Sequence, residues 1–95
     1  MSKVYRDRIE IVGSILQAAL KPSTRYELHL ASDTSYKNFA ELHDALLMTG
    51  DIVETQMDSK EKYKISSRGA EFLRKINDVK PNIERLKKAL AASRI

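Results

Sequence analysis

Two interleaved seven-residue repeats near the C-terminal end constrain this chain more than any other feature. Phe72, Val79 and Leu86 form one set, and Ile76, Ile83 and Leu90 form the other, each four residues later. These are the a and d positions of a heptad, an apolar stripe along one side of a helix. A 95-residue chain buries only about 60–65% of the surface that it exposes when unfolded. It has no cysteine to staple a small core, and little spare surface to cover a stripe beyond Pro81. A second copy of the chain is the expected cover, with Phe72, Ile76, Val79, Ile83, Leu86 and Leu90 at the dimer interface. Packing of the stripe on its own domain is the alternative. Pro81 removes a backbone hydrogen bond but falls at the outward f position, so a kink or short break there leaves the seam intact.

The segment before the stripe reads as three helices and a hairpin. Residues 4–20 carry Ile9, Val12, Ile15/Leu16 and Ala19/Leu20 at helical spacing, with Gly13 suited to close approach by another helix, and Lys21-Pro22-Ser23 ends them. Ser23 or Thr24 caps a short second helix, with Glu27 in capping-box position to Thr24. After a polar turn at 31–34, Thr34 or Ser35 caps a third helix over 36–49, with Phe39, Leu42/His43, Leu46 and Leu47 inward and Gly50 as its stop. Two short helices joined by a tight turn make a helix-turn-helix candidate. Residues 51–55 and 62–65 alternate around the polar turn Asp58-Ser59-Lys60-Glu61, which predicts a β-hairpin with a loop longer than the tightest class. Ser66 or Ser67 then caps the last helix. The fold class is α+β, mostly α, with a division into residues 1–68 and a dimerisation helix over 69–95.

Charge is uneven along the chain. Residues 1–59 hold six basic and nine acidic side chains, whereas residues 60–95 hold eleven and four, within an overall charge of +4. A basic region beside a near-neutral one is a footprint for a polyanion, or alternatively a solvated helix face. His29 and His43 stand fourteen residues apart without cysteine, which is no metal-ligand spacing. Three scattered glycines make no phosphate loop. No enzyme activity, cofactor, metal or small-molecule ligand is expected. Nothing resembles a signal peptide at residues 1–8, and no apolar run approaches the roughly 18 residues of a membrane span. A cytoplasmic, nucleoid-associated protein is the expectation.

The order helix, helix, helix, hairpin, long helix is that of a winged helix-turn-helix domain with a C-terminal coiled coil. In Tyr5-Arg6-Asp7-Arg8-Ile9-Glu10-Ile11, in Ser35-Tyr36-Lys37-Asn38-Phe39 through Leu46-Leu47 and Gly50, and in Tyr63 to Leu73, the sequence resembles the small ten-kilodalton DNA-binding proteins of Sulfolobus and their archaeal relatives. The resemblance covers nearly the whole chain. It implies a homodimer held by an antiparallel coiled coil of the last helix, and DNA binding through the third helix and wing in a chromatin or regulatory role. Two positions depart from the pattern: Asp51 stands where a hydrophobic residue is expected, and His43 at a normally apolar place.

The residues themselves are suited to duplex DNA. Ser35, Tyr36, Lys37 and Asn38 open the third helix, where a recognition helix enters the major groove. Lys37 can meet phosphate or guanine, Asn38 adenine, and Tyr36 a phosphate or sugar. Thr24 and Arg25 open the second helix, whose amides can face a phosphate. Lys60, Lys62 and Lys64 supply a basic wing. Against this, residues 21–49 hold only three basic side chains and four acidic ones. A winged helix used for protein–protein contact in a transcription complex is therefore the second reading, and an effector-responsive repressor ranks last.

Overall fold

The structure, a computed structural model, describes residues 8–92. The expected helical start at residues 4–7, the Tyr5-Arg6-Asp7 part of the resemblance, and Arg94 lie outside them. Six elements follow in the expected order: α1 Arg8–Ala18, α2 Arg25–Ser32, α3 Tyr36–Thr49, β1 Ile52–Met57, β2 Lys60–Ile65 and α4 Ser67–Ala92. The strands form one antiparallel pair.

Side-chain caps set most of the helix ends. α1 stops at Ala18, short of the expected residue 20. The Ser23 hydroxyl lies 3.1 Å from the Ala18 carbonyl, and the Ala19 carbonyl accepts from the Ile65 N–H at 2.8 Å, which draws the chain out of the helix towards the sheet. α2 opens with the expected capping box: Thr24 Oγ1 accepts from the Glu27 N–H, and Glu27 Oε1 accepts from the Thr24 N–H. Ser35 caps α3 by accepting from the Asn38 N–H, and Gly50 ends it at φ +81°.

The hairpin is tighter than expected. Strands run to Met57 and from Lys60, leaving only Asp58 and Ser59 as the loop, at φ +55° and +61°. Two successive positive φ values give the turn whose twist matches that of the flanking strands. Asp tolerates this region because its short polar side chain can bond locally. Ser23 adds an isolated bridge on the other side of β2, exchanging both backbone hydrogen bonds with Tyr63 at 2.7 and 3.0 Å. The wing is thus anchored to the α1–α2 connection.

The core gathers Ile11, Val12, Ile15, Leu16 and Ala19 of α1 and its exit, Leu28, Phe39, Leu46, Ile52, Tyr63, Leu73 and Ile76. The first three turns of α4 belong to it, so the expected dividing line after residue 68 falls inside this helix. The helix passes through Pro81 without a break, and every residue from 77 to 92 is exposed. Among these, Val79, Ile83, Leu86 and Leu90 remain 40–60% exposed.

Asp51 explains its own departure from an apolar residue. It is buried, and its carboxylate accepts from the Thr49 hydroxyl. Its carbonyl accepts from the Ser66 N–H at 3.0 Å. Ser66 Oγ, within 2.6 Å of the Gly50 carbonyl, also accepts from the Gly69 N–H and so caps α4. A Cβ on Gly69 would stand 2.0 Å from the Asp51 carbonyl oxygen, whereas one on Gly13 would meet Ile76 at 3.5 Å, an ordinary contact. The two helical glycines should therefore respond in opposite directions to alanine. Gly13→Ala is expected to be neutral or to stabilise by up to about 1 kcal/mol from helix propensity. Gly69→Ala should destabilise by about 1–3 kcal/mol or more, as overpacking against backbone does. Chemical denaturation at one fixed protein concentration checks both.

Candidate nucleic-acid interface

α3 presents its first turn to solvent. Tyr36, Lys37 and Asn38 are exposed, and Asn38 Nδ2 donates to Thr34 Oγ1 at 3.3 Å. Behind them, aromatic rings hold the turn in place. His29 meets the Tyr36 ring edge-on at 5.4 Å and lies 5.1 Å from Phe39. The Thr34 carbonyl 3.2 Å from His29 Nε2 can only accept, so that nitrogen carries a proton.

Arg25 is the tie between α2 and α3. Its Nη1 donates to His43 Nδ1 at 2.8 Å, its Nη2 donates to the Tyr36 hydroxyl at 3.3 Å, and Asp44 pairs with it at 3.6 Å. Its guanidinium lies 5.5 Å from the Phe39 centroid and 5.8 Å from that of Tyr36. These contacts aim Arg25 along the α2–α3 surface while engaging much of its charge. Sequence reasoning places Arg25 on the DNA backbone but misses His43 and Asp44 as its partners. They stand about one helical turn beyond Phe39, and only the packing of α2 on α3 brings them to Arg25.

His43 fills its apolar position as a neutral ring. It is fully buried between Phe39 and the edge of Tyr63, whose centroid is 4.6 Å away. A guanidinium has no acceptor, so Nδ1 must offer its lone pair and the proton sits on Nε2. Burial, then the Arg25 charge, push its pKa below 6.5; Asp44 opposes them.

The register of the wing separates its charges by face. Residues opposite one another share a face. Val53 pairs with Lys64, Thr55 with Lys62 and Met57 with Lys60, so all three lysines lie on one face. Glu54, Gln56 and Glu61 lie on the other, with Tyr63, which packs on His43. A hydrogen bond that the protonated Glu54 carboxyl donates to Glu61, then desolvation and the like charge of Glu61, hold Glu54 above the ordinary carboxylate range. Lys60 and Lys64 are exposed and Lys62 is half-buried. Lys62 and Lys21 add to the Thr24 hydrogen bonds that hold the Glu27 carboxyl low. Lys62 therefore stands near the α2 N-terminus through Glu27, whereas the wing face next to Arg25 is the one that carries Tyr63, Glu54 and Glu61; Arg25 in turn reaches Tyr36. Lys37 and Asn38 follow Tyr36 on the first turn of α3, and Lys60 and Lys64 share the wing face of Lys62. The acidic face of the wing is not evident from the sequence, although the pairing of Glu54 with Tyr63 follows once the two-residue turn is known.

Comparison with known proteins is consistent with this geometry. A family profile described as winged helix-turn-helix matches residues 5–84. The chain belongs to that family. Among solved structures it is similar to Sso10a-2, a DNA-binding protein from Sulfolobus solfataricus, with TM-score 0.70 and 15% identity over 95% of this chain and 98% of that one. It is also similar to F-93 of SSV1, with TM-score 0.64 and 18% identity over 94% and 99% of the two chains. No curated protein matches the sequence. Among the described residues no helix is long and apolar enough to cross a membrane.

The neutral state of His43 gives stability a pH dependence. The unfolded chain takes up a proton near 6.5 that the folded chain resists, so stability is complete above that value. It falls as the pH drops below 6.5 and through the lowered folded pKa. Urea denaturation between about pH 7.5 and 5 should show this loss in the wild type and a smaller one in His43→Gln, whose amide can still accept from Arg25.

Proposed function

We propose that this protein binds duplex DNA as a homodimer, in a chromatin-associated or transcription-regulating role and without enzymatic activity. The observation that carries the reading is the exposed first turn of α3, held by Arg25 and His29, together with a wing whose three lysines share one face. In this reading Tyr36, Lys37 and Asn38, with Ser35 as their cap, enter the major groove. Thr24, Arg25, Lys60, Lys62 and Lys64 meet the sugar–phosphate backbone. The similarity to Sso10a-2, described as a DNA-binding protein, supports it, and a location on the nucleoid follows from such a role.

Dimerisation is supported by the exposed stretch of α4. Sixteen successive exposed residues with Val79, Ile83, Leu86 and Leu90 on one stripe are a poor solvent surface and a good coiled-coil seam. Phe72 and Ile76 also belong to the stripe, but Ile76 is buried against Gly13 of α1 and Phe72 is partly buried against the core of the same chain. The dimerisation segment proposed within 69–95 therefore has its exposed seam from Val79 onward. Sedimentation equilibrium should show a wild-type dimer, and Leu86→Glu should shift it to monomer while keeping the helical circular dichroism.

The DNA reading is tested by fluorescence anisotropy with a labelled random duplex at about 50 and 200 mM salt. Wild-type affinity should fall steeply with salt. Changing Lys60, Lys62 and Lys64 together to alanine should flatten the log–log slope by up to about 0.9 for each phosphate that is no longer neutralised. Two observations favour protein–protein contact as the second reading: the acidic Glu54/Glu61 face, and the engagement of Arg25 by Asp44. Absence of DNA binding at low salt, for random duplex and selected sequences alike, would establish it over the first.

A further inference from the structure

An apolar groove runs between α1 and the exposed half of α4. Its floor is Ile9, Gly13, Ile76, Val79 and Ile83, its rim carries Glu10, Lys80, Glu84 and Lys87, and its volume is about 170 Å³. A cavity of about 150 Å³ holds a benzene ring, so this one has room for a branched aliphatic side chain. We propose that the groove is the seat for the C-terminal end of α4 from a second copy, which makes α1 part of the dimer interface. The inference rests on the dimer reading above and specifies where the partner helix lies.

Two contacts fix the relative direction of α1 and α4. The Ala19 carbonyl bonds Ile65, just before α4, while Gly13 faces Ile76. α1 and α4 therefore run antiparallel, and Ile9 stands near the level of Val79. Ile76 is only 7% exposed, whereas Val79, Ile83, Leu86 and Leu90 are 46, 40, 60 and 57% exposed. An antiparallel pairing that sets a against d and joins exposed positions to exposed positions puts Val79 opposite Leu90 of the partner subunit, and Ile83 opposite Leu86 of the partner subunit. That register carries the end of the partner helix to Ile9, the mouth of the groove. Val79 and Ile83 belong both to the stripe and to the groove floor, so groove and seam are one continuous surface.

Charge points to the same occupant. In the heptad frame Lys80 and Lys87 are both e positions, and antiparallel helices bring e beside e. Two copies alone would gather four lysines along that edge. Glu84 of α4 lies on this same edge, and the groove adds Glu10 of α1 to it, so the carboxylates of the two copies can offset the four lysines. In this register Lys87 and Lys88 of the partner subunit stand level with residues 82 and 81, between the rim carboxylates Glu10 and Glu84.

The absence of native cysteine makes a direct test available. Glu10→Cys and Ala91→Cys are prepared separately, mixed and oxidised. Within one chain these positions cannot join, because Ala91 lies about twelve residues, roughly 18 Å, along α4 from the level of Glu10, beyond the reach of a disulfide. A disulfide joining the two different variants is the expected result. Independently, Ile9→Asp should weaken dimerisation about tenfold or more by placing an unpaired carboxylate in the seam, with circular dichroism unchanged because Ile9 is 43% exposed in the single chain. A wild-type dimer that forms no mixed disulfide and is indifferent to Ile9→Asp would overturn the groove assignment while leaving the dimer intact. A wild-type protein that sediments as a monomer would overturn the dimer reading itself and the groove assignment with it.

Discussion

The carbonyl of Asp51 occupies the space in which any side chain at residue 69 would stand, and the geometry of the molecule hangs on that contact. It lets the first turn of α4 lie directly on the chain that leaves α3. The Ser66 hydroxyl reaches the Gly50 and Asp51 carbonyls, and Arg68 donates to the Thr49 carbonyl at 3.0 Å. These side chains satisfy groups that the end of a helix leaves open. β1 begins at Ile52 and β2 ends at Ile65, so both roots of the wing emerge from this junction. With Ser23 pairing to Tyr63 as a third anchor, the tilt of the wing and the direction of α4 are fixed together relative to α3.

Within that frame, local pairing rather than net charge decides which cations face outward. Arg25 adds to the basic total, but His43, Tyr36 and Asp44 engage it, and its aromatic stacking on Phe39 favours the inward pose. Lys62 shares the field of Glu27. Among the described residues no ion pair engages Lys37, Lys60 or Lys64. A half-buried, pre-positioned arginine has less side-chain entropy to lose on meeting a ligand than an extended one. The arrangement thus exchanges raw electrostatic attraction for orientation at α2–α3 and leaves long-range attraction to the wing and α4.

Much of this architecture is legible in the sequence because it rests on short-range rules. The Thr24/Glu27 capping box, the α3 span from Tyr36 to the Gly50 stop, and the heptad positions on α4 depend on spacings of three, four and seven. The tight turn is not legible, because Asp58-Ser59 lacks the glycine that usually marks two successive positive φ values, and Lys60-Glu61 read as loop although they are strand. Nor can sequence order show that Ile76 is covered by α1, since that depends on the angle set at Gly69. At the candidate interface the exposed residues of α3 are recognisable as helix-start donors. The Arg25–His43–Asp44 cluster is not, because it joins residues eighteen and nineteen positions apart through a tertiary contact.

The same helix serves as a wall of the core and as an arm, and this sets the scale of any dimer built on it. α4 leaves the core at Ile76, and in the proposed dimer the pairing of Val79 with Leu90 of the partner subunit would place the two-fold axis between residues 84 and 85. Each arm is then roughly 13 Å at 1.5 Å per residue. Two arms separate the points of departure by about 26 Å, before the width of either head is added. Because α4, the wing root and α3 meet at one junction, the heads of the proposed dimer would take their orientation from the seam rather than hang on linkers. If the head centres fall farther apart than the roughly 34 Å of one DNA turn, the dimer is better suited to two separated segments of duplex than to adjacent half-sites. A change at the coiled coil would then be felt as a change in which DNA geometries the two surfaces can engage at once.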